Sequence, residues 1–117
     1  MTGIRRGDIA LALFPDSNLQ TLKRRPVLLI QRDDLTSGLA QVIVAMISGN
    51  MARAGHPSRV VVRLGDSQSR STGLAADSVI VTDNLATIVV GEIDRTIGRM
   101  STMESVDSAL RHTLALP

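Results

Sequence analysis

Twelve arginines stand beside a single lysine in this 117-residue chain, and their clustering is its first chemical signal. Lys23, Arg24 and Arg25 precede Pro26, where a polar stretch enters a continuous apolar run. Guanidinium forks bond phosphate oxygens two at a time and stay charged, so this triplet could clamp a phosphate; it could equally be the solvated end of a basic loop. Ser48 closes the run QVIVAMI just before Gly49. Its hydroxyl either forms a turn or points into a cleft and donates to an anion. Asp83 follows the apolar stretch SVIVT, where it can cap a turn or a short helix over 84–87, act as a base, or orient an arginine. His56, between Gly55 and Pro57, reads as a loop residue, and His112 as the outward face of a helix. A two-histidine ribonuclease mechanism is open but has no support in this spacing.

Absent residues narrow the chemistry further. There is no cysteine, which excludes thiol catalysis, thiolate zinc sites and a disulfide scaffold. The glycines form no GxGxxG or Walker sequence, and neither HExxH nor GxSxG occurs. Two histidines alone do not furnish a usual zinc site, so no metal and no other cofactor is expected. Catalysis would have to be built from Arg, Ser or Thr, Asp and the two histidines.

Composition sets the frame. Hydrophobic residues make up 44% and charged residues 21%, ordinary globular usage that excludes a disordered chain. Phe14 is the sole aromatic, which argues against a base-stacking platform for nucleic acid. The net charge of +2 is small but uneven. Residues 1–32 carry six bases against two acids (+4), residues 33–77 balance at zero, and residues 78–117 carry three bases against five acids (−2). A basic N-terminal third on a nearly neutral protein suggests a local anion site. No apolar run approaches the ~18–20 residues of a membrane helix. The start MTGIRRGDIA does not read as a signal peptide, so a reducing cytoplasm is the expected setting.

These residues must be positioned by short strands. Segments 8–14, 26–31, 40–48, 58–64 and 78–82 read as strands, and 88–98 contains a sixth. In the first, Ile9, Leu11 and Leu13 share one face and the alanines the other; Phe14-Pro15-Asp16-Ser17-Asn18 breaks it, and a polar loop runs to Arg25. A turn is expected at 33–38, a loop or short helix over 49–57, and 65–73 looks the most mobile segment. The period then changes. Ser101-Thr102-Met103-Glu104 reads as a capping box, and Met103, Val106, Leu110 and Leu114 follow at helical spacing. One domain over 1–117 is expected: mainly β with a C-terminal helix, a small, bent antiparallel sheet or barrel closed by that helix.

Taken in order, the segments resemble the MazF/PemK/Kid family of toxins from toxin–antitoxin pairs. The resemblance rests on Arg6-Gly7-Asp8-Ile9, then Arg25-Pro26-Val27-Leu28, then Val42-Ile43-Val44-Ala45 with Ile47-Ser48. It continues through Gly73-Leu74, Asp77-Ser78-Val79-Ile80, Asp83-Asn84-Leu85-Ala86-Thr87, Ile97-Gly98 and Val106-Asp107-Ser108-Ala109-Leu110. It implies a small SH3-like β-barrel with a terminal helix, usually a homodimer, and a metal-independent endoribonuclease acting on single-stranded RNA. Arg25 matches the family's catalytic arginine, Ser48 its catalytic Thr or Ser, and Asp83 an acidic position catalytic in some members. Three positions depart from the pattern: Val81 and Ala86 stand where members carry arginines, and the loop 15–24 lacks a His or Glu that some place there.

The implied reaction is attack of a 2′-hydroxyl on the adjacent phosphorus, leaving a cyclic phosphate and a 5′-hydroxyl. A fixed guanidinium stabilises the charge that accumulates on the phosphoryl oxygens. Arg25 is assigned that role, with Ser48 donating to the same oxygens and Asp83 as base. Lys23, Arg24 and Arg70, the last in the polar segment 65–73, are the expected RNA contacts. A cognate antitoxin should cover the site. The competing reading is a non-enzymatic toxin similar to CcdB, which inhibits DNA gyrase by binding it; an inert RNA-binding module is a third.

Overall fold

The alternation in DIALALF becomes β1 (Asp8–Pro15). The computed structural model describes residues 3–15 and 20–117; β1 continues through Phe14 and Pro15, where the break is expected, and the rest of that break, Asp16–Asn18, lies outside the described residues. Within β1 the small-residue face is the deeper one. Ala10, Ala12 and Phe14 are almost fully buried, whereas Leu11 and Leu13 are half-buried. Small side chains let neighbouring elements approach closely over that face.

Strand β2 (Leu22–Leu29) begins four residues before the predicted start. Residues 22–26 pair with β1 alone, from Pro15↔Leu22 to Leu11↔Pro26, and the ladder to β3 (Gln41–Ser48) opens only at Val27↔Met46. The early half is mostly exposed and lacks an apolar signature, which is why it reads as loop in sequence. Pro26, expected at a strand's first position, sits inside one instead, but where the β3 ladder is absent. Strand β3 is central and nearly all buried, and β4 (Arg59–Val62) is short. Residues 78–89 form one long strand, β5 (Ser78–Val89), followed by β6 (Ile93–Arg99). All the pairings are antiparallel, in the order β4-β5-β3-β2-β1-β6.

The edge strands β4 and β6 do not pair with each other, so the barrel is not closed by hydrogen bonds. Bending nevertheless brings β1 against β5 across two intervening strands. The seam is carried by the segment predicted to be mobile. Arg99 N–H donates to the Ser71 carbonyl at 2.8 Å, the Ser71 hydroxyl donates to the Arg99 carbonyl at 2.7 Å, and Thr72 is wholly buried. Gly73, at φ +72°, faces the Ile97 carbonyl, and Gly98 lies on the Thr72 backbone; a Cβ at either position would collide. Polar composition hid this packing because the segment buries backbone rather than apolar side chains.

Each face of the sheet carries its own core. Ala10, Ala12, Phe14, Val27, Leu29, Val44, Met46, Val79 and Val81 line one. Ile9, Leu28, Ala45, Ile47 and Ile80 line the other, under helix α1 (Glu104–Leu114), which contributes Val106. Two helix expectations are corrected. Ser101 does not cap: its hydroxyl reaches the Gln68 carbonyl at 3.5 Å, and Thr102 Oγ1 accepts from Glu104 N–H at 3.3 Å instead. Leu114 is 51% exposed, since the stripe turns off the sheet after Leu110, and Ala109 is buried in its place.

Candidate active site

Arg25 enters the site from β2. Strand alternation puts Arg25 on the face of Val27, two residues beyond Val27↔Met46, where the ladder to β3 ends. The half-buried guanidinium reaches across β3, where Nη1 donates to Met46 Sδ at 3.3 Å. The Ser48 side chain is nearly buried, and its Oγ accepts from Asn50 N–H at 3.1 Å. The turn-forming role is therefore met by a lone pair, and the hydroxyl proton can still be donated elsewhere. A 3₁₀ turn at Met51–Arg53 follows, capped by the Asn50 side chain.

The third contributor is a bulge in β5. Pairing with β3 jumps from Met46↔Val81 to Ala45↔Leu85, so Thr82, Asp83 and Asn84 have no partner on β3. The turn or short helix expected over 84–87 is thus replaced by a continuing strand. The bulge swings Asn84 inward, and its Nδ2 donates to the same Met46 sulfur at 3.4 Å. Asp83 is gripped by Arg59 on β4, with Nε to Oδ1 at 2.8 Å and Nη2 to Oδ2 at 2.7 Å. Arg59 Nη1 also donates to the Arg53 carbonyl at 2.9 Å, tying the 3₁₀ turn to the bulge. The hydrogen bonds from Arg59 hold the Asp83 carboxyl below the usual carboxylate range, and in return raise the Arg59 guanidinium above its ordinary value.

Among the residues singled out by sequence, Arg25 is tied to Met46, two residues before Ser48 on β3, and Asp83 stands beside Asn84, which bonds the same sulfur. The basic triplet is split. Strand alternation puts Lys23 on the Arg25 side and Arg24 on the other, so the three cations do not form one clamp. Arg70 follows a 3₁₀ turn at Ser67–Ser69, on the connection that bonds Arg99 at the end of β6 and Ser101. The histidines are not isolated: the rings of His56 and His112 meet edge to face, centroids 6.0 Å apart. Behind the bulge, Thr82 Oγ1 donates to the Ser58 carbonyl, and Thr113 Oγ1 bonds both Thr82 Oγ1 and Ser58 Oγ, each at 2.7 Å. Sequence reasoning missed Met46, Asn84 and Arg59. Asn84 beside Asp83 was the one legible hint.

Residues 5–114 match the model of the PemK-like, MazF-like toxin of type II toxin–antitoxin system. The chain belongs to this family. It is 38% identical to Endoribonuclease MazF2 of Mycobacterium bovis and to Endoribonuclease MazF6 of Mycobacterium tuberculosis, over 97% of this chain and 98% of each relative. The solved Mycobacterium tuberculosis toxin MazF-mt6 superposes with a TM-score of 0.73 at 27% identity, covering 94% of this chain and 98% of that one. A mycobacterial endoribonuclease in complex with its cognate antitoxin shares the fold, at a TM-score of 0.75, 21% identity and 98% coverage of both chains. This MazF-like toxin therefore has the mainly β fold with a C-terminal helix that its sequence implied. The gyrase-binding alternative is not favoured by these matches.

Proposed function

We propose that this toxin is an endoribonuclease that cuts single-stranded RNA, messenger RNA included, by metal-independent transesterification at short sequences. In this reaction the 2′-hydroxyl gives its proton to water as its oxygen bonds to the adjacent phosphorus, the bond to the 5′-oxygen breaks, and that oxygen leaves with a proton taken from water. The products are a cyclic phosphate and a 5′-hydroxyl. The observation that carries the reading is the contact of the Arg25 guanidinium with Met46, two residues before Ser48 on the same strand and face. From there a guanidinium and a hydroxyl can both donate to the oxygens of one phosphoryl group, where charge grows toward the transition state. Arg25 is assigned to act through its charge and its fixed hydrogen-bond donors.

Asp83 is assigned to orienting Arg59. A carboxylate whose lone pairs serve two guanidinium donors has reduced proton affinity and makes a weaker base. Lys23, on the Arg25 side of β2, is the flanking cation for the RNA backbone; Arg24 is on the other side of the strand. A cognate antitoxin, a second copy of the chain and a cytoplasmic setting complete the reading. The mass of the purified chain in solution, alone and with the antitoxin, reads both partners directly.

The test is cleavage of a long RNA in EDTA, with cuts mapped by primer extension. Arg25→Ala should lower the rate by at least ~10²-fold, the usual cost of one preorganised donor, with circular dichroism and thermal midpoint unchanged. A folded Arg25→Ala variant that cuts normally, or a reaction that stops in EDTA, would overturn the proposal.

A further inference from the structure

We propose that Met46 is a positioning residue for the Arg25 guanidinium, a role that rests on the RNA-cleaving reading above. Its sulfur receives two donors from two different strands: Arg25 Nη1 from β2 at 3.3 Å and Asn84 Nδ2 from the β5 bulge at 3.4 Å. The side chain is 3% exposed and belongs to the core beneath the site, so its rotamer is held by packing. It stands two residues before Ser48 on the same strand, and hence on the same face.

A thioether suits this task for an electrostatic reason. A carboxylate at this point would orient the guanidinium more firmly but cancel the charge that the phosphoryl oxygens need. Sulfur is a weak, neutral and polarisable acceptor. It fixes the direction of one N–H and brings no negative charge of its own to the guanidinium. Asn84 holds the sulfur from the opposite side, so the bulge, the sulfur and the arginine act as one assembly.

Replacement by leucine keeps the volume and removes the acceptor. Met46→Leu should lower kcat on the order of tenfold, within the range that small misplacements of a catalytic group produce, with KM and thermal midpoint held. In an Arg25→Ala background the same change should cost nothing further. ¹⁵N spectra of the guanidinium should show slowed rotation about the Arg25 Cζ–Nη1 bond in the parent and its loss in Met46→Leu. If leucine is not accommodated, Met46→Ile serves the same comparisons. A folded variant with parental kcat, or an equal loss in both backgrounds, would overturn the inference while leaving Arg25 as the cleaving residue. Full activity of Arg25→Ala would instead remove the reading beneath it.

Discussion

Asp83 illustrates how one residue's neighbours decide its chemistry. An aspartate at a break between apolar stretches is open to several roles, and two hydrogen bonds from Arg59 reduce them to a clamp. The folded state holds this carboxyl below its ordinary range, chiefly through the Arg59 hydrogen bonds. Folding is thereby favoured at every pH above the unfolded carboxyl's titration, and the contribution disappears as pH falls through the lower, folded value. Asp83→Asn should therefore lower the thermal midpoint at pH 7 and lose that deficit on the acid side of the usual carboxylate range. Midpoints measured across pH read this directly; a deficit that persists in acid would show that the charge is not what matters. The pair is partly exposed, so its effect should be small and should shrink with salt.

Among the elements, β5 and the 71–74 segment decide the most. Three residues looped out of β5 turn Asn84 toward Met46 and let Arg59 reach Asp83 from the next strand. An unbroken ladder would have continued the register from Val81, and these contacts would be lost. The segment 71–74 joins the two ends of the bent sheet, and Gly98 is what permits the approach. Gly98→Ala would drive a methyl into the Thr72 backbone, where no flexible side chain can give way. Overpacking of this kind costs typically about 1–3 kcal/mol, and denaturant unfolding should register it at the upper end. Unaltered stability would mean that the seam can open without loss.

At the scale of the whole molecule, the two faces of the sheet divide the work. The site face carries Arg25, Met46 and Ser48, and the opposite face is sealed by α1 through the fully buried Val106. Truncation to Val106→Ala removes two buried methyl groups and should cost about 2 kcal/mol. Thermal unfolding should shift by several degrees. Because the sheet separates helix from site, kcat for RNA cleavage well below the midpoint should stay at the parental value. A matching loss of kcat would mean that the helix positions the site as well as stabilising it.

Read alone, the sequence determined the element types, because period-2 and period-3.6 apolar patterns are local properties of the chain. It also singled out Arg25, since three cations before a proline at the mouth of a buried run are unusual, and Ser48 at the end of another. Strand ends were less legible where β2 pairs on one side only and carries no apolar alternation. Tertiary structure alone decided that Arg25 reaches Met46 near Ser48, that Asn84 meets the same sulfur, and that Arg59 holds Asp83. Each of those contacts joins residues more than 20 positions apart in the chain. No local pattern of side chains records such pairings.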